Sequence, residues 1–153
     1  MTEAQASASW PVLRQGAQGP RVRTLQHLLR AARELWQQVV VADGLFGPKT
    51  ESIVRAFQSN VGLTEDGIVG PQTWSSLTGN AAFGSQVRRG DTGEAVYAAQ
   101  VQLDRHNYPV AIDGVFGDGT EAAVRQFQGI VNLAVDGVVG PNTWRELIVR
   151  NPD

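Results

Sequence analysis

The fold is decided by the stretch DGLFGPKTESIVRAFQ, residues 43–58, because it occurs a second time as DGVFGDGTEAAVRQFQ at residues 113–128. The match continues without a gap, since VGLTEDGIVGPQTW at residues 61–74 recurs as VNLAVDGVVGPNTW at residues 131–144. Upstream, RQGAQGPRVRTLQHLL at residues 14–29 matches RRGDTGEAVYAAQVQL at residues 88–103. Self-similarity at this period indicates two copies of one structural unit.

The repeat also sets the expected boundaries. We predict a flexible tail at residues 1–9, a first unit at 10–79, a short linker at 80–84 and a second unit at 85–150. The upstream segments match at an offset of 74 positions and the downstream segments at 70, so the first copy carries four extra residues. We place them within AARELWQQVVVA, residues 31–42.

Apolar periodicity predicts three α-helices in each unit. In the first helix Val22, Leu25 and Leu29 are spaced so that they share one face. The pattern therefore favours an all-α fold made of two tandem small three-helix bundles. The residues expected at the centres of the two cores are Leu29, Phe57 and Trp74 in one unit and Leu103, Phe127 and Trp144 in the other.

The predicted helix starts agree with this assignment. In the first unit each helix begins with Gly-Pro, at residues 19–20, 47–48 and 70–71. Proline suits the first helical position, because the N–H that it lacks has no intrahelical partner there. In the second unit Glu94 and Asp118 replace two of these prolines, and the helix dipole favours an acid in the first turn.

Composition excludes several classes of protein. The chain has 153 residues, 42% of them hydrophobic and 18% charged, with a formal net charge of −2, which is typical of a globular protein and not of a phosphate-tracking nucleic-acid binder. It contains no cysteine, which excludes disulfides and thiolate metal sites. The N-terminal residues do not resemble a signal peptide, and no apolar run approaches the roughly 20 residues that span a bilayer. We expect a monomer.

Three ordered motifs, each present twice, carry a family resemblance. They are G-x-x-G-x-x-V-x-x-L-Q from Gly16, D-G-x-F-G-x-x-T-x-x-x-V-x-x-F-Q from Asp43, and D-G-x-x-G-P-x-T-W-x-x-L from Asp66. The chain resembles the type 1 peptidoglycan-binding domain in two tandem copies, with Ala99 as a departure where the first copy has Leu25. The resemblance implies a three-helix domain that binds bacterial cell-wall peptidoglycan, outside the cell or in the wall or periplasm, and that commonly anchors hydrolases.

The candidate ligand site lies beside the Asp-Gly turn that leads into the second helix of each unit, next to the groove that the resemblance implies. Tyr108 is the aromatic residue best placed to stack on a sugar, and because Gln38 is its counterpart by position, we expect the second copy to bind more tightly. Trp36 is a candidate substitute in the first copy. The predicted ligand-binding residues are Asp43, Gly44, Thr50, Tyr108, Asp113, Gly114 and Thr120.

Structural interpretations compete with these roles. Asp-Gly is turn chemistry, because the aspartate bonds its own backbone and glycine supplies a positive φ. Thr50 and Thr120 can satisfy free N–H groups in a first helical turn. Gln58 and Gln128 are expected to hold the loop that follows them, His27 to lie on the exposed side of the first helix, and His106 to lie in a loop.

No catalytic residues, metal ligands or cofactor are predicted. The two histidines, His27 and His106, occupy non-equivalent positions and form no zinc or serine-hydrolase motif. The sequence therefore favours non-catalytic peptidoglycan binding through either the glycan strand or the stem peptide, with two weak sites acting together. A protein-interaction or pro-segment module is the first alternative, and a small glycan hydrolase using Asp43 or Asp113 is the second.

Overall fold

The computed structural model describes residues 9–79 and 83–152. Within these ranges the chain forms six α-helices and a 3₁₀ helix, which confirms the predicted all-α fold. Most of the expected tail and linker lies outside the described residues. The elements are α1 Pro20–Ala32, the 3₁₀ helix Glu34–Gln38, α2 Pro48–Asn60, α3 Pro71–Gly79, α4 Glu94–Arg105, α5 Asp118–Ile130 and α6 Pro141–Val149.

The helix starts follow the predicted chemistry. Helices α1, α2, α3 and α6 begin at prolines, and α4 and α5 begin at Glu94 and Asp118. Short antiparallel bridges tie the segment before each first helix to the turns of its own unit. The bridges join Leu13 to Val69 and Gln18 to Leu45 in the first unit, and Val87 to Val139 and Thr92 to Val115 in the second.

Each unit has the predicted apolar core. The six core residues expected from the repeat are at most 2% exposed, which confirms their role. The two core tryptophans also close their units by hydrogen bonding, because Trp74 Nε1 donates to the Pro11 carbonyl at 2.8 Å and Trp144 Nε1 donates to the Ser85 carbonyl at 2.7 Å. The buried apolar residues of the two units belong to one continuous cluster.

The units pack against each other along α1 and α4, a contact that the repeat does not predict. Thr24 of α1 and Gln102 of α4 are both buried, and Gln102 Nε2 donates to Thr24 Oγ1 at 2.8 Å. At the end of the same interface, Arg21 donates to the carbonyls of Ile148 and Val149 at 2.8 and 2.9 Å. The two repeats therefore form a single packed body and are not independent domains joined only by a linker.

The expected placement of His27 is wrong. Its side chain is buried, its ring stacks on Tyr97 with the centroids 5.1 Å apart, and its Nδ1 lies 2.8 Å from Glu94 Oε1. The face of α1 that looks exposed in an isolated unit is the face that α4 covers. His106 lies just beyond α4, outside any helix as expected, but it is half-buried against Phe127 at a centroid distance of 5.1 Å.

This interface makes stability depend on pH. Burial lowers the pKa of His27 below its ordinary value of 6.5, although Glu94 opposes the shift and Arg23 and Arg30 add to it. The unfolded chain therefore takes up a proton before the folded chain does, so stability present above pH 6.5 is lost as the pH falls through the folded-state pKa. We expect the melting temperature to fall from pH 7.5 to 5.5, and to fall less in His27→Gln. Equal decreases in the two proteins would contradict this assignment.

Candidate functional site

Four Asp-Gly turns, two in each repeat, share one hydrogen-bonded geometry. Each aspartate accepts a hydrogen bond through Oδ1 from the backbone N–H two residues later, at 2.9 to 3.0 Å. Each following glycine has a φ between 72° and 78°, a backbone conformation that residues with a Cβ rarely adopt. The turns are Asp43-Gly44, Asp66-Gly67, Asp113-Gly114 and Asp136-Gly137, and in all four the structural interpretation of Asp-Gly holds.

A buried glutamine holds each turn. Gln100 Nε2 lies within hydrogen-bond distance of Asp113 Oδ1, the Val115 carbonyl and Thr120 Oγ1 at 3.0 to 3.1 Å, while its Oε1 accepts from Gly114 N at 2.9 Å. The same contacts recur around the other three glutamines, Gln26, Gln58 and Gln128. The loop-holding role expected for Gln58 and Gln128 is confirmed.

The sequence contains a signal for the other two glutamines that our interpretation missed. The pattern D-G-x-x-G-x-x-T occurs twice within each unit, at residues 43–50, 66–73, 113–120 and 136–143. Each unit is therefore built from two related helix-to-turn segments, and a buried glutamine in the helix before each turn holds that turn. Gln26 and Gln100 are 0% exposed, as a side chain with internal partners can be.

Thr50 and Thr120 lie inside this network. They are 4% and 5% exposed, and each hydroxyl accepts a hydrogen bond from the glutamine of its turn at 3.1 Å. Their geometry supports the structural role, in which they join the first turn of the second helix to the Asp-Gly turn.

Three of the four turn aspartates, Asp66, Asp113 and Asp136, are poorly suited to general acid catalysis. The backbone N–H of Val115, together with Gln100, holds the pKa of Asp113 below its ordinary value. The corresponding N–H groups lower the pKa of Asp66 and Asp136 in the same way. A glycosidase acid needs the opposite shift, because it must keep its proton near neutral pH. Among the described residues no group of three His, Cys, Asp or Glu side chains could hold a metal ion.

The two candidate aromatic residues are held against the cores. The proposed ligand role of Trp36 is wrong, because its side chain is 4% exposed and packs edge-on against Phe57 at 6.4 Å. Tyr108 packs edge-on against Phe127 at 6.2 Å and is half-buried, so only part of its ring faces solvent. Although they lie at unmatched sequence positions, the two rings cover equivalent phenylalanines.

Two recesses flank the Asp43-Gly44 turn, which is called the first-copy turn. Its equivalent in the second repeat, Asp113-Gly114, is called the second-copy turn. The valine groove, about 440 Å³, lies beside the start of α2 and is lined by Val39, Val41, Asp43, Leu45, Gly47, Pro48, Lys49 and Thr50. The inter-repeat groove, about 480 Å³, lies on the other side of the turn, where the first unit meets α4. Both volumes fall in the range of small-molecule sites. Leu45, 55% exposed, lines both recesses.

The corresponding side of the second-copy turn is covered. A Cβ placed on Gly114 would lie 2.4 Å from Tyr97 Cε2, whereas a Cβ on Gly44 would approach only the Gly19 carbonyl oxygen, at 3.3 Å. The ring of Tyr97 therefore occupies the space beside the second turn that stays open beside the first. The predicted residue Asp43 is exposed beside this open space, whereas Gly44 is buried in the turn; Gly114 is also buried and lies under an aromatic ring.

Two further observations concern membrane-spanning helices and the protein family of the chain. No helix in the described ranges is long and apolar enough to cross a bilayer. The family described as "Putative peptidoglycan binding domain" matches residues 18–77 and 92–147, which are the two repeats.

Curated relatives and solved structures give similar matches. The "Probable N-acetylmuramoyl-L-alanine amidase" of Bacillus licheniformis is 31% identical over 96% of this chain and 47% of its own length. The "N-acetylmuramoyl-L-alanine amidase CwlM" of Mycobacterium tuberculosis is 35% identical over 70% of this chain and 28% of its own. A crystal structure of a "Peptidoglycan-Binding Protein from Clostridioides difficile in Complex with Glutamine Hydroxamate" is 43% identical over 41% of this chain and 40% of that chain, with a TM-score of 0.41. The chain thus spans less than half the length of these relatives.

Proposed function

Because the chain belongs to the peptidoglycan-binding domain family through both of its repeats, we propose that it attaches to the bacterial cell wall by binding peptidoglycan and does not cleave it. The observation that carries this proposal is the recurrence of all three family motifs in two copies, with the single departure at Ala99, and with the turns of each copy held by the same glutamine network. The names of the relatives describe amidases of the cell wall, which supports a location outside the cell or in the wall.

The first-copy turn is the proposed main contact surface. Asp43 is exposed, Leu45 and Val41 are 55% and 68% exposed, and these side chains border open recesses. The combination of aliphatic surface with a few polar groups suits a small ligand unit of a polymer. In the second copy, Asp113 and the exposed part of Tyr108 provide a smaller surface, so we propose that the second copy binds more weakly.

Retention on purified, protein-free sacculi tests this assignment. We expect Leu45→Ser to weaken binding about tenfold, the equivalent of about 1.4 kcal/mol. Val115→Ser is the matched control, because Val115 occupies the same turn position in the second copy and is 53% exposed. A larger loss in Val115→Ser would restore the expectation that the second copy binds more tightly. A wild-type protein that does not sediment with sacculi would contradict wall binding and favour a protein partner.

A second prediction concerns catalysis. We expect the purified chain to release neither reducing ends nor free amino groups from peptidoglycan, because its turn carboxylates are hydrogen-bonded within their turns and the pKa values of Asp66, Asp113 and Asp136 are lowered. The measurement is an overnight digestion of sacculi with an authentic amidase as a positive control. Release that disappears in Asp113→Asn would establish the chain as a hydrolase.

A further inference from the structure

The inter-repeat groove is a recess that neither repeat can form alone. Its first wall comes from the start of α1 and the first-copy turn, and its second wall from α4 and the segment after it. The residues that line it are Gln18, Gly19, Pro20, Arg23, Asp43, Gly44, Leu45, Val101, Asp104 and Ile112. Because it depends on the packing of α1 against α4, it is separate from any groove within one domain.

The groove is open because the pairing of the two repeats is only approximately symmetric. On the opposite side of the interface, Glu94 accepts hydrogen bonds from Arg30 at 3.0 and 3.1 Å and lies 2.8 Å from His27, and the ring of Tyr97 stacks on His27. Side chains therefore fill the symmetry-related space completely enough to place Tyr97 directly over Gly114.

The residues at the positions equivalent to Glu94, Tyr97, His27 and Arg30 do not fill the groove with side-chain contacts. By the repeat alignment, Pro20, Arg23, Val101 and Asp104 correspond to Glu94, Tyr97, His27 and Arg30. A proline cannot form the ion pair that Glu94 forms, and a valine is too small to stack as His27 does. The sequence has replaced an interlocked cluster on one side of the interface with separated charges on the other.

Three charged groups line the groove without neutralising one another. Among the described residues, the Asp104 carboxylate has no hydrogen bond or ion pair, and Arg23 donates only a long bond, of 3.4 Å, to His27 Nε2. Asp43 uses only Oδ1 for its turn, which leaves Oδ2 available. The groove thus presents one guanidinium and two carboxylates to a ligand, between the apolar side chains of Leu45 and Ile112.

The backbone of the groove can also pair with an extended chain. Gln18 and Leu45 form a bridge in which the flanking bonds, from Phe46 N to the Ala17 carbonyl and from Gly19 N to the Gly44 carbonyl, are both 2.9 to 3.0 Å. In this type of pair the main-chain groups of Gln18 face away from Leu45. They have no hydrogen-bond partner within the described ranges, so Gln18, which lines the groove, offers one N–H and one carbonyl to an extended ligand.

From these observations we propose that the inter-repeat groove binds a short peptide that carries both a free ammonium and free carboxylates. This proposal rests on the proposed wall-binding function. Within peptidoglycan, the stem peptide carries such groups, so the stem peptide, and not the glycan strand, is the proposed ligand of the groove. Asp104 and Asp43 would hold the ammonium and Arg23 a carboxylate, in charge-assisted hydrogen bonds. The lining contains no aromatic ring on which a sugar could stack, which favours the peptide over the glycan.

The test is calorimetric titration of the full chain with two soluble probes. One is the tripeptide L-alanyl-γ-D-glutamyl-meso-diaminopimelate, and the other is glycan strands stripped of peptide. We expect the tripeptide to bind and Asp104→Asn and Arg23→Gln each to weaken its binding at least tenfold. Asp104 is exposed and its side chain has no partner, so Asp104→Asn is expected to keep the wild-type melting temperature.

Matched controls and outcomes separate this inference from the proposed function. Glu65→Gln and Arg14→Gln change exposed charges outside the groove and are expected to leave tripeptide binding unchanged. Binding to sacculi and to glycan strands without binding to the tripeptide would overturn the groove assignment and leave wall attachment intact. Tripeptide binding that survives both Asp104→Asn and Arg23→Gln would place the peptide elsewhere on the protein. A wild-type protein that does not bind sacculi would overturn the proposed function.

Discussion

Replacing Phe57 by alanine is expected to lower the free energy of unfolding by about 3–5 kcal/mol. The Phe57 side chain is 1% exposed and lies between the rings of Trp36 and Phe83, at centroid distances of 6.4 and 5.2 Å. Its removal gives up the transfer free energy of a buried ring and leaves a cavity that these large neighbours can fill only in part. Urea denaturation followed by circular dichroism measures the change.

Ile130→Ala is the matched control for this experiment. Ile130 is also a large apolar residue within a helix, but it is 70% exposed, so its truncation is expected to change the free energy of unfolding by about 0.5 kcal/mol or less. The equivalent core change Phe127→Ala is expected to match Phe57→Ala, because the two rings occupy the same place in their repeats. Wild-type stability in both phenylalanine variants would show that neither ring supports a core.

Replacing Gln26 by leucine is expected to cost roughly 2–4 kcal/mol. Leucine has a similar volume, so the cost comes from polar groups left without partners. The buried N–H of Gly44 loses its acceptor, Gln26 Oε1 at 2.8 Å, and the buried hydroxyl of Thr50 loses its donor. Such unsatisfied groups cost more than the mean value of a hydrogen bond, because they gave up water on folding.

The same substitution at an exposed glutamine separates this effect from a general preference for glutamine in helices. Gln72 lies in the first turn of α3 and is exposed, and Gln72→Leu is expected to leave the free energy of unfolding within about 0.5 kcal/mol of the wild-type value. A loss in Gln26→Leu no larger than that in Gln72→Leu would contradict the structural role of the glutamine network. Thermal or urea melts of the two variants in parallel provide the comparison.

The packing of α1 against α4 changes how the two proposed binding surfaces would act together. Two sites joined by a flexible linker can bind polymer ligands that lie at many different distances from each other. Two sites on one packed body can bind together only ligands that lie at one distance. The Arg30 to Glu94 ion pair and the Arg21 bonds to the end of α6 fix that separation across the interface. The gain from two repeats therefore depends on whether the polymer presents ligands at the matching distance.

Much of the candidate site follows from local sequence. Four of the five Asp-Gly pairs form tight turns, because the aspartate oxygen and the glycine φ act within three residues, whereas Asp118-Gly119 begins α5. Local sequence does not indicate which of the two equivalent turns, Asp43-Gly44 or Asp113-Gly114, has open space beside it, because that depends on which side chain of the interface lies next to the turn. Asp43 and Asp113 look equivalent in the repeat, and only the position of Tyr97 over Gly114 distinguishes their surroundings.

By itself, the sequence determined the all-α class, the two repeats, the helix starts and the six central core residues, because periodicity, proline and glycine act over a few positions and the repeat confirms each assignment twice. Only the tertiary structure decided that His27 is buried, that Trp36 belongs to the core and that a groove lies between the repeats. These features depend on α1 meeting α4, a contact between residues far apart along the chain, such as Thr24 and Gln102, which are separated by 78 positions. Such a contact depends on the complementarity of two whole surfaces, and no local pattern encodes which face of a helix a distant helix will cover.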